Sequence, residues 1–350
     1  MKANENREAS EMKAGVPLAA GEKIASRSGL VGLVWPYVSI ARPDHWFKNV
    51  FMVLGVVLAY FYQFNAAGGH VEYHVVNLLV AVVAVCLVAS SNYVINEILD
   101  APTDLAHPVK RHRPIPSGQV RLPVAYAEWL VVGAIGLGLA WAVNRPFFGA
   151  ALALWIMGLV YNVPPVRSKE HPYVDVLSES VNNPLRLLLG WFAVTAAEVP
   201  PMSLVISYWM AGAFFMASKR FAEYRSIGEA QVAGAYRSSF RYYDDSKLLV
   251  SMFFYATAAA LFLGVFIIRY HLELILSIPL IAGFFSYYMH VTLKKDSAAQ
   301  APEHLYRERG LMLYLVLCVV VFSVLMFVHI PSLYEWFNVP GPEVPSLWEF

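Results

Sequence analysis

The chain has 350 residues, of which 58% are hydrophobic and only 15% charged, with a net charge of +1. Soluble domains carry roughly 25% charged residues, so this shortfall and the long apolar runs point to a polytopic membrane protein. The near-neutral balance leaves no basic footprint for nucleic acid, and the two cysteines, Cys86 and Cys318, sit apart in apolar runs as small packing residues.

Residues 1–28 are polar, lack the apolar core of a signal peptide and read as a disordered tail. Residues 29–41 are apolar but too short to span, and are expected to lie along the membrane interface. Nine stretches near spanning length follow, at 47–64, 75–98, 122–143, 147–163, 178–197, 201–222, 248–268, 272–292 and 311–330. The expected fold class is all-α, a bundle of nine transmembrane helices within residues 29–332, with a short tail at 333–350.

The basic residues orient this bundle. Lys110, Arg111, Arg113, Arg121, Arg167, Lys169, Arg225, Arg237, Arg241, Lys247, Lys294, Lys295, Arg307 and Arg309 all fall in alternate connections. The intervening connections hold only Arg145 and Arg269, and no Lys or Arg follows residue 331. By the positive-inside rule this predicts a cytoplasmic N-terminus, an extracytoplasmic C-terminus and a multi-pass protein of the cell membrane. The long connections are the basic ones, so the working face is expected on the cytoplasmic side.

Two polar constellations stand at that face. The first is Asn96-Glu97-x-x-Asp100-x-x-x-Asp104, followed by Lys110, Arg111 and Arg113. Asn96 and Asp100 share a helix face and Asp104 continues it, although Pro102 predicts that the helix ends there and that Asp104 reaches in from a loop. Oxygen donors of this kind suit Mg²⁺, which often takes one or two carboxylates plus substrate phosphates. The second constellation places Tyr161, Arg167 and Lys169 ahead of Asp175 and Glu179, with Asn182, Asn183 and Arg186 continuing a polar stripe. Ionisable groups at such depth are expensive and usually functional. Two basic-aromatic pieces remain: RPDHWFKN at 42–49, with Lys48 and Asn49, and SKRFAE at 218–223, with Lys219 and Arg220. Glu223 is spaced to pair with Lys219.

At these motifs the chain resembles the UbiA-type intramembrane transferase superfamily, whose first motif is normally N-D-x-x-D-x-x-x-D and whose second is D-x-x-x-D. Glu97 and Glu179 stand here where that pattern has Asp. The entry segment, the His-Pro-x-Lys-Arg-x-Arg-Pro-Ile loop and Ser-Lys-Arg-Phe-Ala-Glu look most like the polyprenyl-phosphate (decaprenyl-phosphate) phosphoribosyltransferase branch. The Pro-Pro-Val-Arg-Ser-Lys loop looks more like ordinary prenyltransferases.

The resemblance implies a nine-helix bundle around a central cavity and Mg²⁺ held among Asn96, Glu97, Asp100, Asp104, Asp175 and Glu179. Asp100, Asp104, Asp175 and Lys169 would be catalytic. Lys48, Asn49, Lys110, Arg111, Arg113, Tyr161, Arg186, Lys219 and Arg220 would bind substrate. The implied reaction moves phosphoribose from phosphoribosyl pyrophosphate onto a polyprenyl phosphate, for cell-wall arabinan precursors. The alternative is transfer of a prenyl group from a prenyl diphosphate lipid to an aromatic or other acceptor. A third reading, a transporter or lipid-binding membrane protein, lacks an outward-facing polar counterpart. A homo-oligomer among the membrane lipids is compatible with all three.

Overall fold

The computed structural model describes residues 30–66, 75–105, 110–228, 230–295, 297–300, 302–340 and 348–349. The expected tail at 1–28 and His107 of the basic loop lie outside these residues. The described chain is helical apart from a two-residue parallel ladder, β1 (Val328–His329) with β2 (Trp348–Glu349).

Each predicted span meets a helix. After α1 (Leu30–Ile40), Arg42 adopts a left-handed backbone (φ 50°) and 3-10 turns over Pro43–Val50 lead into α2 (Phe51–Ala66). There follow α3 (Val75–Asp104), α4 (Leu122–Val143), α5 (Arg145–Asn162), α6 (Val174–Ser180), α7 (Asn182–Val194) and α8 (Met202–Ile227). The last are α9 (Ala230–Tyr236), α10 (Asp245–Tyr270), α11 (Ile278–Thr292), α12 (Arg309–Leu325) and α13 (Pro331–Phe337). Five helical stretches among the described residues are long and apolar enough to cross a membrane: Gly32–Gln63, Val75–Asp104, Leu122–Val143, Asp245–Tyr270 and Leu272–Thr292. Large apolar side chains such as Phe253 (75% exposed) and Leu313 (72%) point outward, as lipid-facing residues do.

Two boundaries differ from expectation, both at prolines. Pro102 lacks an N–H but does not end α3. The Thr103 hydroxyl donates to the Asp100 carbonyl at 2.8 Å and the Leu105 N–H to that of Ala101 at 3.1 Å, so Asp104 is the last helical residue rather than a loop residue. The span expected as one helix at 178–197 is two, α6 and α7, meeting at Val181. Pro184 in the first turn of α7 cannot donate back to Ser180, which uncouples the two helices. Asn182 bridges the joint by donating to the Glu179 carbonyl at 3.0 Å.

Helices pack closely as α3 on α4, α8 on α10 and α2 on α7. One apolar core joins α3, α5 and α7, and another joins α8, α10 and α11. Asn144 caps α5 by accepting from the Phe147 N–H at 2.8 Å, and its amide donates to the Phe192 carbonyl at 2.7 Å, tying α5 to α7. The residues after α12 fold back: Tyr334 and Leu333 are buried, and Glu273 accepts from the Tyr334 hydroxyl and the Ile330 N–H. Both cysteines are free and buried, as expected.

The tightest approach is between α2 and α7. A Cβ on Gly55 would run into the Leu187 carbonyl, and one on Gly190 into that of Met52. Small residues at such a crossing let two backbones touch. G190A is therefore expected to destabilise the folded protein by about 1–3 kcal/mol through overpacking. G138A, where a Cβ meets nothing within 4 Å, should leave the thermal midpoint in detergent unchanged or slightly raised. Equal midpoints for the two variants would contradict this account.

Candidate active site

α3 carries the first motif. Asn96, Asp100 and Asp104 recur every four residues and follow one face. Glu97 is about 100° round from Asn96 but only about 20° from Asp104, so it borders that face. It is 5% exposed, and its Oε1 accepts the Ile115 N–H at 3.2 Å. The remaining residues of this motif behave as a line of oxygen donors. Asn96 makes no side-chain hydrogen bond among the described residues. Asp100 Oδ1 accepts from Lys169 Nζ and, at 3.3 Å, from Arg167 Nη2. Asp104 is buried, and its Oδ2 takes Arg113 Nη1 at 2.7 Å.

Lys169 and Arg167 belong to the connection between α5 and α6, so their bonds to Asp100 join the two motifs. Lys169 also donates to Asn162 Oδ1 at 2.9 Å and lies over the Tyr161 ring, 5.8 Å from its centroid. Burial lowers the pKa of this ammonium, even though Asp100 opposes the shift.

The second motif is fully engaged at one residue and partly at the other. Asp175 is wholly buried. Its Oδ1 accepts from the Tyr243 hydroxyl at 2.7 Å; its Oδ2 accepts from Ser239 at 3.2 Å, Arg220 Nε at 3.3 Å and Arg237 Nη1 at 3.4 Å. Burial, reinforced by the carboxylate, pushes the Tyr243 phenol well above its usual range, so it stays a donor. Glu179 uses Oε2 for Arg220 Nη2 and for the Tyr161 hydroxyl at 3.2 Å. Arg220 also meets Glu223 at 3.3 Å, so its single charge faces three carboxylates. That departs from its expected role as a cation awaiting phosphate. Tyr161, expected among the substrate-binding residues, is a hydrogen-bond donor to Glu179.

A different pair of cations does lack acid partners. Arg186 is 8% exposed; its Nε donates to Asn49 Oδ1 at 3.0 Å and its Nη1 to the Asn182 carbonyl at 3.1 Å. Among the described residues no carboxylate pairs with it, and Asn49 in turn donates to Cys86 Sγ at 3.2 Å. Lys48 makes no ion pair among the described residues, and its charged neighbours are Arg42, Lys219, Arg186 and Glu179. Lys219 meets Glu223 loosely, at 3.9 Å, as its spacing predicted. Arg111 is exposed beside His112 and is not drawn to the acids, whereas Lys110 lies over the Tyr236 ring at 5.7 Å.

Sequence reading missed Ser239 and Tyr243 as partners of Asp175 and counted Arg237 only as a loop charge. They stand 60 or more residues away along the chain, in a Tyr- and Arg-rich connection that carries no motif.

Among the described residues no three acid, His or Cys side chains converge on one point as a metal cluster. The donor set nevertheless fits Mg²⁺ held by one or two carboxylates and completed by substrate phosphates. Asp100 Oδ2, Asp104 Oδ1 and the Asn96 side chain make no hydrogen bond among the described residues. Asp175, with both oxygens taken, does not fit as a direct ligand, and Glu97 has its Oε1 committed to the Ile115 amide.

Residues 49–316 match the UbiA prenyltransferase family. The chain is 31% identical over 237 residues to a decaprenyl-phosphate phosphoribosyltransferase of Mycobacterium tuberculosis, covering 66% of this chain and 74% of that protein. It is 29% identical over 196 residues to a protoheme IX farnesyltransferase 2 of Pseudomonas paraeruginosa, covering 55% of this chain and 63% of that protein. The fold is similar to a UbiA homolog from Archaeoglobus fulgidus solved with DMAPP and Mg²⁺, with a TM-score of 0.60, 19% identity, and coverage of 83% of this chain and 99% of that one. The chain belongs to the UbiA prenyltransferase family, and it is an intramembrane transferase.

Proposed function

We propose that this transferase moves phosphoribose from phosphoribosyl pyrophosphate onto a polyprenyl phosphate at the cytoplasmic end of the bundle, releasing pyrophosphate. The observation that carries this reading is the buried Arg186, with Lys48 beside it and no carboxylate to neutralise it among the described residues. A guanidinium is always charged, and a buried charge without a counter-ion is expensive. A second anionic substrate, distinct from the pyrophosphate donor, supplies that counter-ion. Transfer of a prenyl group to a neutral acceptor would not. The likeness to decaprenyl-phosphate phosphoribosyltransferases supports the same reading.

In this reading Asn96, Asp100, Asp104 and Glu179 would hold Mg²⁺, and the donor pyrophosphate would bind beside them. What the bound metal supplies is neutralisation of the leaving group. Lys169, Arg113 and Lys110 exchange their protein partners for phosphate oxygens. Arg186 and Lys48, with Lys219, orient the lipid phosphate. One of its oxygens attacks the anomeric carbon of the ribose; the bond from that carbon to pyrophosphate breaks, and the electron pair leaves with pyrophosphate. The nucleophile is already ionised, so no general base is needed. Asp175 touches no substrate here: it positions Arg220 and Arg237 behind Glu179.

The chain's likeness to a farnesyltransferase favours the second reading, prenyl transfer from a prenyl diphosphate. Labelled phosphoribosyl pyrophosphate with polyprenyl phosphate, and labelled prenyl diphosphate with aromatic acceptors, separate the two. Label is expected in lipid phosphate in the first reaction; label transferred only in the second would overturn the proposal.

R186M is expected to raise KM for the lipid phosphate about tenfold or more while changing KM for the donor little, as for a desolvated charge contact. Equal effects on both substrates would argue against two anion sites. The pH profile offers a separate check. The lowered pKa of Lys169 means that the ammonium is lost before pH reaches the ordinary lysine value of about 10.4, so activity falls early on the alkaline side. K169R, whose charge does not titrate, should move that falling limb upward. A limb unchanged by K169R would assign it to another group.

A further inference from the structure

Glu97 stands beside Asp104 on α3, but its carboxylate is committed to the chain itself. Its side chain enters the gap between α3 and the connection at 110–121, where Oε1 accepts the Ile115 N–H at 3.2 Å. Ile115 is 6% exposed and packs with Val94, Ile98 and Val120. Two residues earlier, Arg113 reaches Asp104 at 2.7 Å. α3 therefore grips the same connection twice, through a backbone amide at Glu97 and through a guanidinium at Asp104. A cavity of about 440 Å³, lined in part by Arg42, Glu97, Arg113 and Pro114, opens beside this grip. Packed side chains do not fill that space, so on this side the register of the connection depends on the Ile115 packing, the Glu97 hydrogen bond and the Asp104 ion pair.

We infer that Glu97 is a positioning residue and not a metal ligand: its carboxylate holds the Ile115 amide and so keeps Arg113 aligned with the metal-facing side of α3. The inference rests on the proposed phosphate role of Arg113, but the hydrogen bond itself does not. Side-chain length is decisive. Aspartate is shorter by one C–C bond, about 1.5 Å, which puts its oxygen beyond hydrogen-bond reach of Ile115. Glutamine keeps an acceptor oxygen at full length. A metal ligand has the opposite preference: aspartate keeps the charge that a hard cation needs, and glutamine loses it.

The test compares full-length wild type, E97Q and E97D in detergent. Trypsin cleavage after Lys110 and Arg111 in the folded protein reports how firmly the connection is held. Pyrophosphate release, titrated separately with phosphoribosyl pyrophosphate and with Mg²⁺, reports the site. E97Q is expected to rescue both, with cleavage at the wild-type rate and a donor KM within about threefold of wild type. E97D is expected to be cut about tenfold faster and to raise the donor KM about tenfold, with half-saturating Mg²⁺ unmoved in either variant. The inference is overturned if E97Q raises half-saturating Mg²⁺ while E97D does not, or if all three proteins are indistinguishable. Should wild type release no pyrophosphate from this donor, the functional reading fails and the cleavage rates alone decide the role of Glu97.

Discussion

An ionised side chain inside a lipid-embedded bundle costs several kcal/mol unless an opposite charge or hydrogen-bond donors meet it. That constraint organises one end of this protein. Asp100 is met by Lys169 and Arg167, Asp104 by Arg113, Glu179 by Arg220 and Tyr161, and Asp175 by four donors. The pairs do not lie within single helices. They run from α3 to the connection before α6, and from α6 to α8 and the connection before α10. Neutralising the acids is therefore also what ties the connections to the helices, and it places cations beside every carboxylate that a metal-bound diphosphate would use.

Against that background the unpaired groups carry the information. Arg186 and Lys48 make no ion pair among the described residues, while Asn96 and single oxygens of Asp100 and Asp104 make no side-chain bond there. Positive charge without an ion pair and oxygen donors without a cation thus stand beside the paired network. A transferase that joins an anionic acceptor to a metal-bound diphosphate donor needs both. A prenyltransferase with a neutral acceptor needs only the second.

Much of this was legible in the sequence because it is periodic or compositional. The four-residue recurrence of Asn96, Asp100 and Asp104 on a helix, the apolar runs and the family resemblance all survive in three dimensions. The alternation of basic connections fits the same bundle. What escaped was what depends on direction or on distant partners. Glu97 stands beside Asp104 on α3, but its carboxylate is taken by the Ile115 amide, a partner that the motif string does not encode. The closure of Asp175 by Ser239, Arg237 and Tyr243 comes from a connection more than 60 residues downstream. The break at Val181 follows from Pro184, whose missing N–H was present in the sequence but outweighed by the continuous apolar pattern around it.

The central claim is that the six motif residues divide, with Asn96, Asp100, Asp104 and Glu179 serving the metal-bound diphosphate while Glu97 and Asp175 hold the surrounding chain. A structure determined with Mn²⁺ and phosphoribosyl pyrophosphate, with the metal located by its anomalous scattering, tests this most directly. The account predicts metal against Asp100 or Asp104, with Glu97 still bonded to Ile115 and Asp175 still bonded to Arg220 and Tyr243. Metal ligated by Glu97 or Asp175 would contradict it.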